Sequence, residues 1–232
     1  MHRYWDKVIK PILIASRPRT IVEIGSMSGL NTFKLLDYCK YCNANCFIIE
    51  QTPLYNVELL KAYYGHRATV MERLSLDALP EIVQYDLLLV DGDHNWYTVY
   101  HELALAEQMA QRTGRFPIVL LHDTDWPYGR RDMYASPESI PPAFRQAYAR
   151  QGMEPGRSAL LESGGFNAYS NNAVSEHGDR NGVLTAIEDF MKRSVFDLRL
   201  FKLYSHHGLG ILVPSQSELM LTLPYIIAAS GM

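Results

Sequence analysis

The amino-acid sequence predicts an α/β fold. It is a doubly wound, mostly parallel sheet in a three-layer sandwich, finished by an antiparallel C-terminal hairpin strand. Three observations predict it. Short apolar runs alternate with segments of helical apolar spacing from Thr20 to Leu121, the pattern of parallel strands joined by crossover helices. The run Tyr85–Val90, continuously apolar from Leu87 on, suits a central strand covered on both faces. Polar clusters follow the runs at Gly25–Asn31, Glu50, Asp91–His94 and His122–Asp125, all on the carboxyl edge where such sheets bind ligands.

A first helix is expected over 3–15, with Tyr4, Trp5, Val8, Ile9 and Ile12 on one side and an interruption near Pro11. Arg17-Pro18-Arg19 turns into a buried strand, Thr20–Ile24, and Gly25 to Gly29 then make a tight turn into a helix marked by Leu30, Phe33, Leu35 and Leu36. The two glycines let the backbone turn sharply and approach a ligand closely. Cys46–Ile49 is the second strand, ending in Glu50. A helix over Pro53–Tyr64, a strand Ala68–Met71 and a brief helix Ser75–Ile82 precede Tyr85–Val90. A helix Tyr97–Met109 and a strand Pro117–Leu121 follow. Regularity resumes with a helix Gly182–Arg193 and strands Leu198–Tyr204 and Gly210–Val213, paired across the turn His206-His207-Gly208. A final apolar segment, Leu219–Ala229, suits a helix against the domain or against a second copy, which leaves a homo-oligomer open.

Between these, residues 126–180 are rich in Gly, Pro, Ser, Asn and Arg, with one expected helix at Pro141–Arg150. Long irregular segments inside a domain are usually functional. The chain therefore reads as one domain, 1–232, with 126–180 as a lid or acceptor-binding insert, less ordered without ligand than the sheet.

Composition narrows the function classes. The chain has 232 residues, 47% hydrophobic and 20% charged, with a formal net charge of −3. That balance predicts a soluble, cytoplasmic protein and gives no basic excess for a nucleic-acid partner. No run approaches the ~20 apolar residues of a membrane span, and Ile12–Ala15 behind Pro11 is too short for a signal peptide. Cys39-x-x-Cys42, with Cys46, lacks a second ligand pair at zinc-finger spacing, so reduced thiols are expected.

The glycine turn, the acid 25 residues beyond Gly25 and the terminal hairpin resemble the class I S-adenosylmethionine-dependent methyltransferases, whose fold is Rossmann-like. Val22-Glu23-Ile24-Gly25-Ser26-Met27-Ser28-Gly29 is similar to that family's first motif, in which an acid precedes the glycines. The G-x-G-x-x-G of dinucleotide-binding dehydrogenases is absent. Val90-Asp91-Gly92-Asp93-His94 and Leu121-His122-Asp123-Thr124 resemble the metal-dependent small-molecule O-methyltransferases, including those acting on sugar hydroxyls. The likeness covers residues 20–125 and 182–213 and leaves out the insert.

The resemblance implies S-adenosylmethionine as cofactor, with Glu23, Gly25, Ser26, Ser28 and Gly29 around its methionine end and Glu50 on the ribose. Ser75 or Asp77 would meet the adenine edge, and Asp91, Asp93 and His94 would complete the pocket. Carried over by position, Asp91, Asp123 and Thr124 would hold Mg²⁺ or another divalent cation, Thr124 standing where the family has a stronger amide ligand. The same acids can instead cap helices or hold loops. His94 takes the place of the family's catalytic lysine, as a proton acceptor or as a cofactor contact. A small-molecule acceptor would meet His122, Trp126, Tyr128, Arg130 and Arg131. Two other classes share these features: a nicotinamide-dependent oxidoreductase on the same fold, and a cofactor-binding protein without turnover.

Overall fold

The computed structural model describes all residues, 1–232, and has the expected architecture. Seven strands form the main sheet in the order β3-β2-β1-β4-β5-β10-β9. They are β1 (Thr20–Ile24), β2 (Asn45–Ile49), β3 (Ala68–Met71), β4 (Leu87–Val90), β5 (Ile118–His122), β9 (Leu198–Leu203) and β10 (Leu209–Pro214). The first five run parallel; β10 is antiparallel to both β5 and β9. The chain order reverses between β1 and β4, and a ligand crevice opens at such a point.

Alternation of side chains along the strands builds two cores. Ile21, Leu87, Leu89, Ile118 and Leu120 face one side, against α1 (Lys10–Ser16), α2 (Thr32–Cys42), α3 (Val57–Tyr64) and α7 (Leu223–Ser230). Val22, Leu88, Val90, Val119 and Leu121 face the other, against α4 (Ser75–Ala78), α5 (Trp96–Thr113) and α6 (Val183–Arg193). Both faces of β4 are thereby covered, which explains its unbroken apolar run.

Local chemistry moves some expected boundaries. Pro11 does not interrupt the first helix. A π-helical turn, Trp5–Ile9, precedes α1, and Pro11 lies in the first turn of α1, where its missing N–H leaves no bond unmade. The helix expected from Pro53 starts at Val57, because Asn56 caps it by accepting from the Leu59 N–H at 2.9 Å. The three cysteines are free thiols, Cys39 and Cys46 buried and Cys42 exposed.

The largest departure is in the insert. The helix expected at Pro141–Arg150 is absent; that stretch holds a single 3₁₀ turn, Pro142–Phe144, and then a strand. Tyr148 and Ala149 pair with the insert's middle strand, and the Gln146 N–H is taken by the Tyr134 hydroxyl at 2.7 Å, so neither is free for a helix. The insert carries its own antiparallel sheet, in the order β6 (Met133–Tyr134), β8 (Asn171–Ala173), β7 (Tyr148–Ala149). Arg131, fully buried, holds it from within by donating to Ala173 O and, at 2.6 Å, to Ser158 O.

Candidate active site

Two cavities open at the carboxyl edge of the sheet. An inner one, about 280 Å³, lies over the ends of β1, β2 and β4, with Glu50, Ser75, Asp93 and Thr98 in its wall. An outer one, about 310 Å³, is lined by Ser26, Ser28, Asn31, His122, Asp123 and Tyr128, among others. Gly25, Met27, Asp91 and His94 line both, so one elongated ligand could reach from one to the other across them.

Gly25 makes this junction sterically. Its φ is +83°, a region open to glycine, and an added Cβ would stand 2.2 Å from the Asp91 carbonyl oxygen. The ends of β1 and β4 therefore touch backbone to backbone. Gly29 has a positive φ of +79° for a different reason: a Cβ there would meet the Phe33 ring at 2.6 Å. It shapes the turn and lines neither cavity. Glu23 is buried on the α2 side and accepts from Asn31 Nδ2 at 2.9 Å, so it positions a lining residue without lining the site. Burial pushes its carboxyl up to about 7, with the Asn31 hydrogen bond opposing.

Glu50 sits at the rim of the inner cavity. Its two oxygens accept from the Met27 N–H at 2.8 Å and the Thr52 N–H at 3.1 Å, which aims the carboxylate and leaves lone pairs for a diol. Of the two residues expected at an adenine edge, Ser75 lines the cavity, whereas Asp77 is exposed and does not. Ser75 Oγ donates to Glu102 of α5 at 2.5 Å.

Glu102 is fully buried, and its second oxygen has no partner. Burial raises its carboxyl from 4.5 to about 8, against the Ser75 hydrogen bond. Below pH 4.5 folded and unfolded chains both carry the proton; between the two values only the unfolded chain releases it, so stability is lost as pH rises through that window. Glu102→Gln is expected to be more stable than the parent at pH 9, by ~1–3 kcal/mol, with the gap closing toward pH 4. Urea unfolding at both pH values checks this; a pH-independent difference would refute it.

The outer cavity concentrates acids and imidazoles. His122 Nδ1 lies 3.0 Å from Asp91 Oδ1 and 2.7 Å from Asp123 Oδ2, while His94 Nδ1 is 3.5 Å from Asp123 Oδ2. Asp123 has a φ of +58°, in the left-handed region that Asp tolerates, and ends β5 there. Burial alone would raise the Asp123 carboxyl, but the charge of His94 and the His122 hydrogen bond hold it down at about 2. Asp91 is likewise lowered: burial opposes, and His122 prevails. Burial would lower His122, but its bonds to the two carboxylates lift it to about 9. The Met1 nitrogen is 2.9 Å from Asp91 Oδ2, and His94 stacks on Tyr128 with centroids 5.4 Å apart.

The donor set differs from the one expected. Ligating atoms of Asp91, His122 and Asp123 lie within 4.8 Å of one another. Thr124 turns elsewhere: it is buried beneath the β9–β10 turn, with its side chain against Gly208 and Gly210. His122, read from the sequence as an acceptor contact, occupies the third position. The arginines are corrected too. Arg130 pairs with Glu188 at 2.7 and 2.8 Å, Arg131 is consumed inside the insert, and no lysine or arginine lines the outer cavity. Trp126 packs on Phe166 outside the lining set, while Tyr128 is in it. Asp93 is engaged by Asn95, Thr98 and the His94 and Ala135 N–H groups, and burial raises its carboxyl.

The sequence offered no signal for other wall residues. Ala135, Ser136, Ser139 and Ile140 of the insert close the inner cavity; Phe166, Asn167 and His207 close the outer. All but His207, which sits in the turn between β9 and β10, are ordinary insert residues far in sequence from the ends of the main-sheet strands. No helix is long and apolar enough to cross a membrane.

Comparison with known proteins agrees with this geometry. Residues 22–124 match a family model described as a methyltransferase domain. The O-methyltransferase hkm8 of Aspergillus hancockii is 26% identical over 106 residues, 44% of this chain and 42% of that protein, so the match spans less than half of that relative. The S-adenosylhomocysteine-bound methyltransferase PaMTH1 of Podospora anserina superposes with a TM-score of 0.53 at 18% identity, over 88% of this chain and 76% of that one. A Staphylococcus aureus protein assigned as a caffeoyl-CoA O-methyltransferase gives 0.53 at 13% identity, over 89% and 81%. The oxidoreductase alternative finds no support in these likenesses. Residues 22–124 thus resemble a methyltransferase domain, and the chain as a whole shares the fold of these solved methyltransferases.

Proposed function

We propose that this protein transfers a methyl group from S-adenosylmethionine to a hydroxyl of a small molecule. One observation carries the reading: the inner and outer cavities share Gly25, Asp91 and His94, so a cofactor with its adenosine inside would present its sulfonium methyl to the acid–imidazole cluster. The hkm8 relative supports oxygen as the acceptor atom.

Ser75 would meet the adenine end, Glu50 the ribose diol, and Ser26, Ser28 and Asn31 the methionine end. An acceptor hydroxyl between His94 and Asp91 would attack the methyl carbon in line with the departing sulfur. The new C–O bond forms as the C–S bond breaks, S-adenosylhomocysteine leaves as a neutral thioether, and His94 takes the hydroxyl proton. Asp123, 3.5 Å from His94 Nδ1, orients that ring and stabilises its cation. Tyr128 and Phe166 would pack on the acceptor's body, and the insert would keep water from the reaction.

Two carboxylates and an imidazole suit Mn²⁺ or Zn²⁺ at least as well as Mg²⁺, and Asp91, Asp123 and, once it has given up its proton, His122 would hold the ion. When bound, such an ion lowers the pKa of a coordinated hydroxyl.

Transfer of isotope from methyl-labelled S-adenosylmethionine into an acceptor panel, with and without chelator, tests the activity; binding of NADH in place of S-adenosylhomocysteine would overturn it. Glu50→Ala is expected to weaken S-adenosylhomocysteine binding by ~1–3 kcal/mol through a lost charged hydrogen bond. Unchanged affinity by calorimetry would remove Glu50 from the ribose site.

A further inference from the structure

The insert meets the core at several points, and Asp132 is the one that ties both α5 and α6 to β6. Asp132 is fully buried, and its carboxylate gathers three segments. Oδ1 accepts from the Trp96 N–H that begins α5 at 2.7 Å and from the Gly182 N–H that precedes α6 at 2.6 Å; Oδ2 accepts from the Tyr134 hydroxyl of β6 at 2.8 Å. The Asp132 N–H donates to Asn181 Oδ1 at 2.7 Å. Directly after it, the Met133 N–H donates to the His94 carbonyl at 3.0 Å, bridging the insert to the loop between β4 and α5.

On one side of that bridge, Ala135 to Ile140 wall the inner cavity; on the other, Tyr128 and Asn167 wall the outer one. The path to the outer wall is continuous. Tyr134 in β6 pairs with Asn171 in β8. The neighbouring Asn172, fully buried, accepts from the Tyr128 hydroxyl at 3.2 Å and donates to Asn167 O at 2.9 Å. A carboxylate in a dry site with three donors admits one arrangement of all of them, because any opening strands a buried charge.

We propose that Asp132 is the positioning residue that couples the two cavities: a cofactor seated in the inner cavity orders, through Asp132 and the Met133–His94 bridge, the small sheet that holds Tyr128 and Asn167 in the wall of the outer one. The inference rests on the methyltransferase reading above and goes beyond it, since acceptor and cofactor would then strengthen each other's binding by the same factor. A purely structural Asp132 would hold the insert equally with and without cofactor.

Hydrogen exchange of the full chain with and without S-adenosylhomocysteine separates these cases. In the parent, the nucleoside is expected to slow exchange at residues 91–98 and also at β7 and β8, which do not line the inner cavity, by about tenfold. In Asp132→Asn the slowing at 91–98 should persist while that at β7 and β8 is lost, since the amide keeps its oxygen on the two backbone N–H groups only by turning its NH₂ toward the Tyr134 O–H, whose proton then loses its acceptor. Tyr134→Phe, which keeps the two backbone donors and removes only the β6 arm, gives the same partial loss if Asp132→Asn does not fold. Protection of 91–98 alone in the parent overturns the coupling. Full β7–β8 protection in the variant that folds overturns the role of Asp132. No slowing anywhere removes the methyltransferase reading itself, and this inference with it.

Discussion

Gly25→Ala is expected to abolish measurable S-adenosylhomocysteine binding. The added methyl would stand 2.2 Å from the Asp91 carbonyl oxygen and 2.6 Å from Gly92 Cα, both backbone atoms that no rotamer change can move. The substitution also places alanine at a φ of +83°, a strain of ~1–2 kcal/mol before any clash. The ends of β1 and β4 must separate, and the Asp91 N–H loses its bond to Ile24 O at 2.9 Å. Both cavities share that junction, so the loss falls on the whole crevice and not on one contact. Gly114→Ala is the control: its φ of +78° carries similar strain, but nothing lies within 4 Å of a Cβ there and it lines neither cavity. Calorimetry on both variants, with thermal melts, makes the comparison. Near-parental affinity in Gly25→Ala would mean that the β1–β4 junction does not hold the cofactor.

The second large effect is on rate. His94→Ala is expected to slow methyl transfer by ~10²–10⁴-fold, the usual contribution of a positioned base, while leaving S-adenosylhomocysteine affinity within about threefold. His94 is suited to the task because its ring is held on three sides: Asp123 Oδ2 at 3.5 Å, the Tyr128 face at 5.4 Å and its own backbone bridged to Met133. Asp123→Ala removes the partner of both His94 and His122, so it should cost at least as much. Single-turnover rates on an identified acceptor decide the matter. A His94→Ala rate equal to the parent's would assign the proton to solvent or to another cavity group. A rate loss matched by an equal loss of cofactor affinity would make His94 a binding residue instead.

How far the chain could be read beforehand depended on the range of the interactions involved. Strand Leu87–Val90 was legible because burial on both faces leaves no position for a polar residue. The turn at Gly25 was legible because positive φ selects glycine. Thr124 was misplaced for the opposite reason: which way a side chain faces after β5 depends on the β9–β10 turn, whose Gly208 packs on it from more than eighty residues away. Arg130 and Arg131 misled similarly. Arginines in a loop suggest ligand contacts, but Glu188 and the carbonyls of Ser158 and Ala173 reach them only in the folded chain.

The sequence by itself determined the parallel sheet, its carboxyl-edge polar clusters and the glycine junction. Each follows from rules acting within a few residues: side-chain alternation, apolar spacing and the φ range open to glycine. Only the tertiary structure decided that His122 stands between Asp91 and Asp123, that the insert folds around a small sheet, and that loops of this insert wall both cavities. Those arrangements join residues far apart in the chain. Their partners are chosen by burial, since a charge withdrawn from water is stable only where folding brings donors to meet it.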